Sequence, residues 1–214
     1  MTIQWLGNSC FKIQTKSNGG ETTILTDPYA AKCGLPKMKF AADIVVLSRE
    51  DDELIGDLKD FKGTEQTPKP FIVKSPGEYE LQGSFVYGLS HSAQEKNTLY
   101  VLSVEDMKIG FLGLLNKKEL TASELESIEG VDILFVPISG EKTLTAADAA
   151  RLVNQIEPRI VIPMCYKIPG LALPFDAPDR FVKEMGNHEE ELDKLKISKK
   201  DLPPEETRLI LLKP

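Results

Sequence analysis

Polar and apolar residues alternate over 2–6 and again over 10–15, with Gly7-Asn8 between the two stretches. A period of two marks a half-buried strand, and Gly-Asn supplies a turn, so the chain is expected to open as paired strands. A second turn, Ser17-Asn18-Gly19-Gly20, leads into 21–26, a third strand rich in β-branched residues. Asp27-Pro28 ends it, because the residue before a proline avoids the helical region and proline has no N–H to give to a ladder. Within 43–48, Ile44-Val45-Val46-Leu47 is a short unbroken apolar run, which suits a strand buried on both faces. Strand signals then crowd together over 71–73, 78–82, 84–89, 98–103 and 108–112, with Gly83 and the polar stretch 90–97 as turns.

The pattern changes after residue 112. Thr121-Ala122-Ser123-Glu124 has the capping-box spacing and predicts a helix to about Ile128. A short apolar run over 133–136 stops at Pro137. Ala146, Ala149, Ala150, Leu152, Val153 and Ile156 then form a helical stripe, ended by Pro158. Residues 159–163 read as one more buried strand, 198–206 as a solvated loop and 207–212 as a last strand. No Gly/Ser-rich linker or short repeat interrupts this order. A single domain over 1–214 is expected, with a β-rich half over about 1–112 and a β/α half over about 113–214. Its class is α/β (α+β), and two sheets with helices outside would make a four-layer αββα sandwich.

Composition narrows the setting. The chain has 214 residues, 41% hydrophobic and 28% charged, the proportions of an ordinary soluble globule. Its 26 Lys and Arg against 33 Asp and Glu give a net charge of −7, so a nucleic-acid backbone is not an expected partner. Charges interrupt every apolar run well before the roughly 20 residues of a membrane span. The start, Met1-Thr2-Ile3-Gln4-Trp5, lacks a basic region followed by an apolar stretch, and a cytoplasmic setting is expected. Three separated cysteines form neither a disulfide framework nor a C-x-x-C knuckle, and two histidines are too few for an imidazole-rich zinc site. No G-x-S-x-G elbow is present, and Gly19-Gly20 does not precede a helix as a phosphate loop would.

Several segments, taken in order, resemble one family. They are Trp5-Leu6-Gly7-Asn8-Ser9-Cys10-Phe11, Ile24-Leu25-Thr26-Asp27-Pro28 and Ala42-Asp43-Ile44-Val45-Val46-Leu47-Ser48. The likeness continues through Gly77-Glu78-Tyr79, Val131-Asp132-Ile133-Leu134-Phe135-Val136-Pro137 and Ile160-Val161-Ile162-Pro163-Met164-Cys165-Tyr166-Lys167. In order and spacing, from about residue 3 to 170, these resemble metallo-β-lactamase-fold proteins, and most nearly the branch of zinc-dependent hydrolases that includes ascorbate-phosphate lactonase relatives. The resemblance implies the same αββα sandwich.

It also implies a metal site, and there the chain departs from the family pattern. After the strand that ends at Ser48 the family carries His-x-His-x-Asp-His. Here Arg49 stands in the first histidine position, Asp51 in the second, Glu53 in the aspartate position and Leu54 in the last. Asn8 replaces a histidine of the Trp-Leu-Gly-His-Ser segment, Leu114 falls where a bridging aspartate belongs, and Cys165 takes the place of the final histidine. His91 lies near another histidine of the branch, and His188 reads as a surface residue.

A guanidinium offers no lone pair and carries a fixed positive charge, and leucine cannot coordinate at all. Zinc needs three or four convergent N, O or S donors, so the conventional dinuclear site is not expected. The acids of 50–53 read first as a solvated helix start, and Arg49 beside them could also pair with one of them, in the position a metal would take. Those same acids also suit a hard cation.

The reading is a metallo-β-lactamase-fold protein without the family's zinc ligands, a pseudoenzyme that binds a small ligand or another protein. No cofactor is expected, and self-association is implied by the resemblance to oligomeric relatives. The alternative is a metal-dependent hydrolase with one divalent ion such as zinc, held in an altered mononuclear site. The candidate cleft is Asn8, Asp27, Arg49, Asp51, Asp52, Glu53, His91, Leu114 and Cys165.

Overall fold

The hairpin expected from the opening alternation is formed by β1 (Thr2–Gly7) and β2 (Cys10–Ser17), and β3 (Gly20–Thr26) pairs antiparallel with β2. Ile3, Trp5, Phe11 and Ile13, the apolar members of that alternation, are all buried, so one face of the hairpin turns to the core. The computed structural model describes residues 1–17, 20–38, 40–49, 54–57, 61–90, 97–117, 119–140, 142–186 and 191–214. β4 (Ile44–Val46) and β5 (Phe71–Val73) continue parallel to β3. Every residue of β4 is buried, as its unbroken apolar run predicts.

The second sheet begins as an antiparallel meander of β6 (Gly77–Leu81), β7 (Ser84–Leu89), β8 (Leu99–Val104) and β9 (Met107–Phe111). It continues with parallel β10 (Ile133–Pro137) and β11 (Ile160–Met164). The helices between and after these strands are α1 (Ala122–Ile128), α2 (Ala146–Ile156) and α3 (Asp179–Met185). Two short strands, β12 (Leu195–Lys196) and β13 (Arg208–Leu209), complete the sheets. The first sheet runs β12-β1-β2-β3-β4-β5 and the second β13-β11-β10-β9-β8-β7-β6. Phe11 of β2 stacks on Phe135 of β10, with centroids 3.9 Å apart, and Trp5 lies 4.5 Å from Tyr166, so aromatic rings join the inner faces of the two sheets.

Both predicted helices form, and α1 starts at its predicted cap. The Thr121 hydroxyl accepts the Glu124 N–H at 3.2 Å while the Glu124 carboxylate accepts the Thr121 N–H at 2.6 Å, which satisfies two otherwise orphaned donors. At α2 the Thr145 hydroxyl accepts the Asp148 N–H at 3.2 Å and donates to the Asp148 carboxylate at 2.7 Å. Ala149, Leu152, Val153 and Ile156 are buried, and α2 packs on β10 and on α3. α2 stops where Glu157 turns left-handed ahead of Pro158.

Three features differ from the sequence expectation. α3 carries only one buried residue, Phe181, and has no side-chain N-cap, so it leaves neither an apolar stripe nor a start signal. The last strand is shorter than 207–212, because after Ile210 the chain turns to exchange backbone bonds with Leu192. The loop over 198–206 contains a short 3-10 turn, Lys199–Asp201, whose Lys199 ammonium bonds Asp132 at 2.8 Å. No helix of the described residues is long and apolar enough to cross a membrane.

The β8–β9 connection is a two-residue turn with Glu105 and Asp106 both left-handed, the geometry that suits a tight hairpin. Its Glu105 reaches the other sheet, accepting the Met1 amine at 2.5 Å and the Lys16 N–H at 2.7 Å. Partial burial opposes ionisation of Glu105, but the bonds from the Met1 amine and from Lys16, with the charge of that amine, outweigh it and hold its pKa below the usual carboxylate value. A carboxylate with a depressed folded pKa stabilises above its unfolded pKa of about 4.3, and that contribution is lost as the pH falls through the folded value. Glu105→Gln is therefore expected to lower stability at neutral pH. Urea titrations at stepped pH are expected to show its difference from wild type shrinking in acid; a constant difference would contradict the ionised pairing.

Candidate functional site

β1, β3 and β4 point the same way in the first sheet, and β9 and β11 share a direction in the second. The residues after their C-terminal ends are Asn8, Asp27, Ser48 with Arg49, Leu112-Gly113-Leu114 and Cys165. Bonds between the sheets draw these ends together. The Cys165 N–H donates to the Asn8 carbonyl at 3.1 Å and the Thr98 N–H to the Ser48 carbonyl at 2.8 Å. The Tyr100 hydroxyl donates to the Leu47 carbonyl at 2.9 Å, and Arg49 Nη2 donates to the Leu114 carbonyl at 2.8 Å. The structure thus gathers Asn8, Asp27, Arg49, Leu114 and Cys165 at one edge of the sandwich. Asp51, Asp52, Glu53 and His91 lie outside the described residues, as does His188.

The backbone at this edge is unusual. Asn8 (φ 51°), Asp27 (φ 32°) and Cys165 (φ 57°) all occupy positive φ, a region costly for side-chain-bearing residues and concentrated at functional sites. Gly113 shares it (φ 57°), and a Cβ there would run into the Ser48 side chain, so no larger residue fits.

Asp27 is fully buried, and both its oxygens are engaged. Oδ1 accepts the Ser48 N–H and Oδ2 the Ser48 hydroxyl, each at 2.6 Å. The Asn8-Ser9 turn is anchored beside it, since Thr26 Oγ1 donates to the Ser9 carbonyl and accepts the Phe11 N–H, both at 2.9 Å. Burial, with the charge of Asp27 as a second cause, pushes the Cys10 thiol well above its usual pKa. Burial likewise raises Tyr100, so its hydroxyl stays a donor.

Arg49 is half-buried. Leu114 is buried and acts through its backbone alone: its carbonyl accepts from Arg49 and its N–H donates to Asn97 Oδ1 at 3.1 Å. Asn97 Nδ2 in turn donates to the Leu112 carbonyl at 3.1 Å. The candidate set read from sequence lacks Asn97, as it lacks Ser48. The Asn8 carboxamide is fully buried, and neither of its polar atoms is hydrogen-bonded among the described residues. Beside this turn an apolar cleft of about 650 Å³ is lined by Leu6, Leu35, Met38, Phe40 and Pro169.

Among the described residues this edge offers few metal-donor side chains, and Asp51, Asp52, Glu53 and His91 lie outside them. Asp27 is committed to Ser48, Leu114 presents no donor side chain, and Arg49 brings a fixed positive charge. Among the described residues no group of three or more His, Cys, Asp or Glu could hold a metal ion. Asp27 acts here as a brace. Asp27→Ala, which strips both Ser48 donors of their acceptor, is expected to cost about 1–3 kcal/mol of unfolding free energy. Asp27→Asn should cost less, because its carbonyl oxygen still accepts the Ser48 N–H. Equal losses in urea unfolding would rule out this division of the two bonds.

Residues 2–165 match the family model described as Beta-lactamase superfamily domain. The chain is similar to a UPF0173 metal-dependent hydrolase of Listeria monocytogenes serotype 4a, 26% identical over 202 residues that span 78% of this chain and 85% of the relative. A UPF0173 protein of Pyrococcus abyssi is 27% identical over 188 residues, 79% of this chain and 85% of the relative. Among solved structures, one described as a candidate Zn-dependent hydrolase of the metallo-β-lactamase superfamily, from Thermotoga maritima, superposes with a TM-score of 0.76 at 25% identity, covering 100% of both chains. A metallo hydrolase of Ignicoccus hospitalis shares the fold at a TM-score of 0.64 and 19% identity, over 86% of this chain and 90% of the other. The comparisons reach the superfamily and do not place the chain in the ascorbate-phosphate-lactonase branch. The relatives' names lean toward the metal-using alternative rather than toward the absence of a cofactor. With most of its length matched by the family model and its two-sheet fold shared, the chain belongs to the β-lactamase superfamily domain family.

Proposed function

We propose that this chain uses a metallo-β-lactamase-type fold for binding, with the strand-end edge around Asn8, Arg49, Leu114 and Cys165 receiving a small molecule or a protein partner. The observation that supports it is the Arg49–Leu114 bond. The Arg49 guanidinium donates to the backbone of Leu114, the residue that the resemblance aligns with a bridging carboxylate, and a fixed positive charge beside that position supports a reading without a dinuclear centre. The buried, unbonded Asn8 carboxamide adds one donor and one acceptor in the same turn, which a polar ligand group could satisfy. Without a zinc-activated water, hydrolysis would lack its usual nucleophile.

The names of the Listeria relatives favour a second reading. It is a metal-dependent hydrolase whose altered site draws one divalent ion to ligands from Asp51, Asp52, Glu53, His91 and Cys165.

Elemental analysis of the purified protein separates the two. The binding reading expects metal well below one equivalent and no turnover of ester, lactone or phosphodiester substrates, with or without added zinc or manganese. One equivalent of tightly held metal together with turnover would establish the second reading instead. Arg49→Ala is expected to cost about 1.5–3 kcal/mol in chemical denaturation, the usual worth of a charged hydrogen bond. A loss of only a few tenths would show that the guanidinium does not hold this edge together.

A further inference from the structure

Among the described residues β6 is the last strand of the seven-stranded sheet and pairs only with β7, so one row of its backbone N–H and C=O groups faces away from the sheet. The register across that pair sets Glu78 opposite Tyr87 and Glu80 opposite Phe85. All four side chains therefore share one face. Both glutamates are exposed, Tyr87 is half-buried, and Phe85 is 41% exposed, one of the few large apolar side chains left open to solvent. The next strand does not cover the rings, since the residues opposite them on β8 are Ser103 and Val101.

The Phe85 and Tyr87 rings lie nearly parallel, at 10°, with centroids 6.5 Å apart. That spacing is too wide for the two rings to touch face to face. A cation seated between them would lie about half that distance from each centroid, well inside the range of about 6 Å over which a ring attracts a cation. A carboxylate stands across from each ring, and among the described residues neither Glu78 nor Glu80 is in an ion pair; Glu80 only accepts the Gly83 N–H at 3.3 Å. Paired rings, two carboxylates and an open strand edge thus coincide. A planar guanidinium meets both demands, stacking on the rings while forking onto a carboxylate, which a compact ammonium does less well.

We propose that the β6 edge is a docking strand for an extended, arginine-bearing segment of a partner protein. The segment adds its backbone to β6, and its alternate side chains fall on the Glu78–Glu80 face. An arginine there passes between the carboxylates to reach the Phe85–Tyr87 pair one strand further in. Charge complementarity selects this occupant over a second copy of the chain, whose own net charge is −7.

The test uses the full chain and two fluorescein-labelled nonapeptides, one alternating threonine with arginine and the other with lysine at every arginine position. Fluorescence anisotropy is expected to show the arginine peptide binding about fivefold more tightly. Phe85→Ser with Tyr87→Ser should erase that preference, and Glu78→Gln with Glu80→Gln should weaken both peptides. Circular dichroism confirms that the variants fold, as exposed positions should allow. Equal binding of the two peptides, unchanged by the serine variants, would mean attraction to the acidic surface in general and would overturn the proposal. So would a concentration-dependent dimer in sedimentation that the serine variants abolish, because a second copy would then be the occupant.

Discussion

A carboxylate with no exposure to water must be compensated by its surroundings, and at the strand-end edge of this fold Ser48 donates two bonds to Asp27. The pairing locks the end of β3 to the end of β4. The Leu47 and Ser48 carbonyls then take donors from Tyr100 and Thr98, so the first sheet's geometry passes to the second. Gly113 must be glycine to approach Ser48 as it does, and Arg49, one residue on, reaches Leu114. The same edge is closed independently by the Cys165 N–H on the Asn8 carbonyl and by Asn97 on Leu112 and Leu114.

Much of the fold is written in periodicity. The alternation around Trp5 and Phe11 names the buried face of the first hairpin, and the apolar runs at Ile44 and Ile133 mark strands covered on both sides. Thr121 announces a helix start because a capping hydroxyl works within four residues of chain, whereas α2 is legible through its apolar stripe and not through its Thr145 cap. α3 is illegible for the opposite reason: seven residues with a single buried side chain carry too little pattern.

The candidate site divides in the same way. Asn8, Asp27, Arg49, Leu114 and Cys165 are reached through the family likeness of short segments, and the fold brings them to one edge. The roles of Ser48 and Asn97 escape because their bonds join residues 15 to 21 positions apart, and such pairs leave no local mark. The architecture is the family's, but the chemistry depends on side chains that a shared fold does not guarantee. In this chain the Arg49 guanidinium meets the Leu114 backbone at the strand-end edge.

Cys10, Cys33 and Cys165 sit on three different segments, all with free thiols and all without solvent exposure. Cys10 lies against the Met38 thioether, and Cys165 closes the strand-end edge through its own N–H. A thiol reagent meets none of them on the native surface, and while Cys10 stays buried its raised pKa keeps the reactive thiolate scarce. Alkylation of this protein is thus gated by breathing of the packed interior, and the order in which the three sulfurs are modified would chart which segment lifts first.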